Sequence, residues 1–160
     1  MAKKRPVAKS AFSNAEELVK QVRDTIESSQ NISLVPIKLI QSPKTHDRQC
    51  FLNSEIDDLA QSIKTSGLLQ PIVLRKIGSS FERLIGFKRL LAVKKNGDES
   101  IKAIILENIS DKEAALITIS ENLFRSNPNI YDQTLAFLDY LSIELDMRIE
   151  DVKTILYKQK

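Results

Sequence analysis

Residues 71–97 place the tightest constraint on the fold. Two short apolar runs, "PIVLRKI" and "FERLI", are separated by "GSS" and lead directly into "GFKRLLAVKKNG". Apolar runs of this length joined through Gly-Ser read as a β-hairpin. At Gly86 the pattern changes, and a helix is predicted from about Phe87 to Lys95, stopped by "NGD". The chain must therefore pass from strand to helix on one glycine. Lys88 and Arg89 then fall in the first helical turn, where the helix dipole is already positive. Something anionic between them would make that arrangement tolerable: a nucleotide phosphate, a DNA phosphate or a solvent counter-ion.

The rest of the chain supplies elements around this fixed point. Asn14, Glu16 and Glu17 open a helix through about Ser28, with Leu18, Val22 and Ile26 on one stripe. "ISLVPIKLI" alternates as a short strand near a sheet edge, because Pro36 has no N–H to give a ladder. "QSPKTHDRQCFLN" reads as loop, and Ser54, Glu55 and Asp57 open a helix that Gly67 ends. "IKAIILENI" is an apolar, β-branched strand. The Ser110–Glu113 capping box starts a further helix through "ISENLFRS". After "NPNI", Leu135, Leu138, Leu141 and Leu145 mark another helix, and Ile149–Tyr157 a last short one. The order is mixed α and β first and purely helical afterwards, with the change near Ser126. Residues 1–13 form a basic tail, 14–30 an N-terminal helix, 31–126 an α/β domain and 127–160 a helical segment.

Charge decides what the globular part can bind. Of 24 basic residues, Lys3, Lys4, Arg5 and Lys9 lie in the first ten positions, leaving 20 against 21 acidic ones. The folded part is no general polyanion binder, so nucleic-acid affinity must come from local patches. A single cysteine, Cys50, excludes an internal disulfide and fits a reducing cytoplasm. No apolar run approaches the roughly 20 residues that span a bilayer.

Three stretches carry candidate chemistry. "SGLLQP", with Gly67 and Gln70, reads either as a plain helix C-cap or as one wall of a ligand site. "GFKR" reads as a tight turn with a basic face, or as a phosphate cradle in which Gly86 lets backbone N–H groups approach and Lys88 and Arg89 add charge. "ENLFR" offers Glu121 and Asn122 as hard oxygen ligands for Mg²⁺; Arg125, one turn on, pairs with Glu121 or with phosphate. His46, Asp47 and Cys50 are too few for a structural zinc set. A single histidine in a loop builds no Ser-His-Asp triad, and Cys50 has no evident activating neighbour.

Taken in order, these stretches make residues 32–145 resemble the N-terminal domain of the ParB family of DNA-partition proteins. The resemblance rests on "ISLVPIKLI", "LAQSIKTSGLLQPIVLRK", "GFKR", "ILENISDKEAALITISENLFR" and the helix after "NPNI". It implies an α/β (α+β) ParB/sulfiredoxin-like domain followed by a helical segment that begins a helix-turn-helix. It also implies a CTP- and Mg²⁺-dependent DNA clamp. Gly86, Phe87, Lys88 and Arg89 would then cradle the triphosphate, with Gly67 and Gln70 on the base and sugar side. Glu121 and Asn122 would hold magnesium, Glu121 would be the catalytic candidate, and Asn122 and Arg125 would touch phosphate. The partners implied are a centromere-like DNA site, a ParA-type ATPase contacted through Arg5, and a second copy of the domain. The location implied is the cytoplasm, on nucleoid or plasmid.

The chain departs from the family's G-E-R-R-x-R-A box at three places. Phe87 stands where relatives carry an acid, Lys88 replaces an arginine, and Leu91 replaces another. Lys88 keeps charge and loses bidentate geometry; Leu91 removes a cation. Weakened affinity and at most a weak CTPase activity are expected. The other reading is a ParB-like transcriptional regulator or nuclease-type accessory with a degenerate pocket. The "DMRIEDVKTILYKQK" end resembles a first helix without its reading helix, so the chain reads as an N-terminal fragment.

Overall fold

The computed structural model describes residues 31–43, 53–123 and 130–158, and before them residues 13, 17, 20–22, 24 and 26. Those scattered N-terminal residues are all helical, and Val22, on the expected apolar stripe, is buried. The chain packs as two units: residues 26–110, and residues 111–160 with residues 1–25.

The first unit is built on a five-stranded mixed sheet of β1 (Ile32–Pro36), β2 (Ile40–Gln41), β3 (Ile72–Ile77), β4 (Ser80–Ile85) and β5 (Ser100–Leu106). Their spatial order is β1-β5-β3-β4-β2. The hairpin forms as the apolar runs predict, on a two-residue Gly78-Ser79 turn, with Ile77 opposite Ser80. The run "ISLVPIKLI", expected to be one strand near an edge, is two strands on opposite edges. β1 pairs antiparallel with β5, ending with Pro36 opposite Ser100. A single 3₁₀ turn, Ile37–Leu39, then leads to β2, which pairs in parallel with β4. Pro36 sits at the last residue of β1, where its missing N–H costs little.

Two helices cover this unit. α1 (Asn53–Ser66) ends at Gly67, whose N–H donates to the Ile63 carbonyl at 2.8 Å and whose φ is +74°. α2 (Phe87–Lys95) has the predicted bounds. Leu90 and Val93 of α2 bury against Ile72, Leu74, Ile101, Ala103 and Val35 of the sheet. Ala92 packs on Ile56 and Ala60 of α1, with Leu91 at the edge of the same cluster. Leu91 therefore serves as packing between α1 and α2. The Asn96 amide fastens the pair by donating to the Ala60 carbonyl at 2.9 Å.

The second unit is helical: α3 (Asp111–Leu123), α4 (Ile130–Glu144) and α5 (Ile149–Lys158). Leu116, Ile119 and Leu123 of α3 bury with Tyr140 and Leu141 of α4 and Val152 of α5. Of the expected leucine stripe, Leu141 is fully buried and Leu138 and Leu145 pack at its rim. Leu135 stays largely exposed, because the core takes the Tyr140–Leu141 face.

Burial, with Glu144 beside it, pushes the Tyr140 phenol up from 10.0 to about 12. Between those values the folded phenol keeps its proton while the unfolded one loses it. The unfolded chain then binds fewer protons, so stability falls as pH rises through that window and is untouched below it. The loss is expected to reach about 2 kcal/mol near the top of the window. Tyr140→Phe should lack this slope, and denaturant midpoints at about pH 9 and pH 11.5 for both proteins check it. A slope of equal size in the variant would assign the effect to other groups.

Candidate functional site: a strand-to-helix turn that meets the start of β3

Gly86 caps α2 with φ +103° and ψ 34°, a conformation open to glycine and strained for any residue with a Cβ. It also lies against β3. A Cβ there would stand 2.6 Å from Ile72 Cγ2 and 3.0 Å from Ile72 Cβ. The turn at 86 is thereby pressed onto the residue that follows Gln70-Pro71. Between β4 residues 83 and 85 the ladder with β3 shifts register, with Arg83 opposite Leu74 and Ile85 opposite Val73. Irregularities of this kind re-aim a strand beside a site.

Arg89 completes the junction. Its Nη1 donates to the Gln70 carbonyl at 2.9 Å and to the Pro71 carbonyl at 2.5 Å. The "SGLLQP" and "GFKR" stretches, read separately from the sequence, are thus joined by one guanidinium. Lys88 turns to α1, its Nζ 2.8 Å from Glu55 Oε2. The anion facing the first-turn lysine is therefore a carboxylate of the chain itself. The first intrahelical bond runs from Leu90 N–H to the Gly86 carbonyl at 3.0 Å, and Gly86 brings no capping side chain. The N–H groups of residues 87–89 precede that bond, so the helix itself gives them no acceptor. Two cations at a helix start can together hold an anion.

Two features escaped the sequence reading. The Arg83 guanidinium, on a buried residue, lies over the Phe87 ring with Cζ 4.7 Å from the centroid, a cation–π contact. The signal was a lone cation in the apolar run "FERLI". Phe87, which stands where an acid was expected, is thereby part of the turn's packing. Arg75 and Glu82, opposite each other in the hairpin, form a buried ion pair at 2.5 Å, and Arg75 Nη1 also donates to the Ile109 carbonyl at 3.1 Å.

Glu121 and Asn122 lie in the last turn of α3, both half-buried, in the helical unit. Arg125, Arg5, His46, Asp47 and Cys50 lie outside the described residues. Among the described residues no three His, Cys, Asp or Glu side chains cluster to hold a metal ion, and no helix is long and apolar enough to cross a membrane. Mg²⁺ prefers six oxygens and keeps several waters, binding through one or two protein oxygens and a phosphate. Glu121 and Asn122 fit that shared mode and are too few for a protein-only cage.

Comparison with known proteins finds similar chains. A family model described as the ParB N-terminal domain matches residues 20–123. The probable plasmid-partitioning protein ParB of Thermus thermophilus is 36% identical over 126 residues, covering 79% of this chain and 41% of that protein. The nucleoid occlusion protein of Geobacillus kaustophilus is 34% identical over 118 residues, covering 73% of this chain and 42% of that protein. The chain thus spans about two-fifths of the length of these curated relatives. Among solved structures, the C-terminally truncated chromosome-partitioning protein ParB from Caulobacter crescentus, complexed with CTP-gamma-S, is similar with a TM-score of 0.53 and 25% identity. The match covers 78% of this chain and 71% of that one.

Proposed function

The chain belongs to the ParB N-terminal domain family, and from that premise we propose that it is the nucleotide-binding part of a DNA-partition protein, a clamp on DNA gated by CTP and Mg²⁺. The observation that carries the reading is the Arg89 link, which fixes the Gln70-Pro71 carbonyls beside the Gly86 turn. A pocket with a phosphate end and a base end needs these two stretches held together.

In this reading Gly86 opens the helix start to a triphosphate, and Lys88 and Arg89 supply charge. Gly67 and Gln70 line the base and sugar side. Glu121 and Asn122 hold the magnesium, which when bound neutralises phosphate charge, and Arg125 adds a phosphate contact. Glu121 is the candidate for a weak CTPase step. Gating requires only that nucleotide bind the closed pair of domains better than the open ones. In the same reading a centromere-like DNA site is the partner, and stimulation of a ParA-type ATPase belongs to Arg5. Such a protein works in the cytoplasm on nucleoid or plasmid.

The test is calorimetric titration of CTP, ATP, GTP and UTP, each with Mg²⁺. Saturable binding of CTP, at least tenfold tighter than of the others, is the expected result. DNA binding with no nucleotide affinity at all would favour a regulator with a degenerate pocket.

A further inference from the structure

We propose that Glu55 is an internal competitor for the phosphate site: it occupies Lys88 until a nucleotide phosphate displaces it. The inference rests on the reading of the Gly86 turn as a phosphate site and adds a residue that no motif marks.

The first turn of α2 carries two cations and no acid. The anion that Lys88 meets comes from a different helix, 33 residues away in sequence, through Glu55 in the first turn of α1. The pair is close at 2.8 Å, yet the Lys88 and Glu55 side chains are 27% and 45% exposed, so solvent and ligand reach both. Exposed pairs of this kind are weak and exchange readily. A phosphate brings more charge and more acceptor oxygens than a carboxylate, so it wins the exchange. Displacement of Glu55 removes the ion pair that joins the first turns of α1 and α2, so occupancy of the site is felt on a second helix.

The structure contains its own control. Asp57 of α1 pairs with Lys95 at the far end of α2. Lys95 lies nine residues beyond Gly86, about 13 Å along a helix rising 1.5 Å per residue. Asp57→Asn removes the same charge from the same helix without touching the turn.

Mg-CTP affinity is measured by calorimetry at low salt for the wild type, Glu55→Gln, Asp57→Asn, Lys88→Gln and the Glu55→Gln/Lys88→Gln pair. Glu55→Gln is expected to bind ~2–5-fold tighter, the scale of one exposed ion pair. Asp57→Asn should match the wild type, and Glu55→Gln should bring no gain once Lys88 is glutamine. Unchanged or weaker binding by Glu55→Gln, or an equal gain in Asp57→Asn, overturns the proposal while leaving the nucleotide site standing. A wild type that binds no CTP overturns both.

Discussion

Gly86→Ala is expected to destabilise the α/β unit by about 2–6 kcal/mol, read from urea midpoints. Two separate costs combine. A φ of +103° with ψ 34° is unfavourable for any L-residue, at about 1–3 kcal/mol. The new methyl would also stand 2.6 Å from Ile72 Cγ2 and 3.3 Å from the Ile72 Cα. Ile72 is fully buried in the sheet, and its backbone cannot yield as a flexible side-chain tip would. Overpacking of that kind adds about 1–3 kcal/mol. Ile72→Ala removes Cγ2, so the two changes together should cost less than the sum of the singles. Whatever shift relieves the contact also moves Arg89 relative to the Gln70 and Pro71 carbonyls, so nucleotide affinity should drop with stability. A loss below about 1 kcal/mol would mean that the turn relaxes freely and that Gly86 is not the fixed point.

The second large effect belongs to the buried pair in the hairpin. Glu82→Leu or Arg75→Met alone should cost about 3–5 kcal/mol, because each removes the ion-pair partner of a buried charge. Replacing both, as Arg75→Met with Glu82→Leu, should recover most of that loss. A residue of about 1 kcal/mol should persist, since the Ile109 carbonyl loses the Arg75 Nη1 donor. A double-mutant cycle on unfolding free energies measures the coupling. Additive singles would show that solvent or other groups compensate each charge, contrary to the 4% exposure of both residues.

Local rules carried much of the fold. α2 was legible to the residue because Gly86 and "NGD" bound it in sequence, and the hairpin because its turn is local. β2 was not legible. It is two residues long, and its partners Phe81 and Glu82 lie 41 positions away, so no period marks it. The Arg75–Glu82 pair was within reach. Once Gly78-Ser79 is taken as a two-residue turn, Ile77 faces Ser80 and the register brings 75 opposite 82. The candidate site was legible in its residue types and opaque in its contacts. Arg89 does fall beside Gly86 as expected, but its hold on two carbonyls depends on Gly86 meeting Ile72, a tertiary approach. The Lys88–Glu55 pair likewise joins helices that no local pattern connects.

The passage of ten residues from one sheet edge to the other has a geometric consequence. Between β1 and β2 lie β5, β3 and β4. At about 4.8 Å per strand spacing, a flat sheet would separate its edges by about 19 Å. Yet only the four steps from Pro36 to Ile40 join them, a reach of at most ~14 Å even if fully extended. The sheet must therefore roll so that its rims approach at this corner, as an unfinished barrel laced shut by its own backbone. Neither rim can peel away alone there, since lifting β1 pulls on β2.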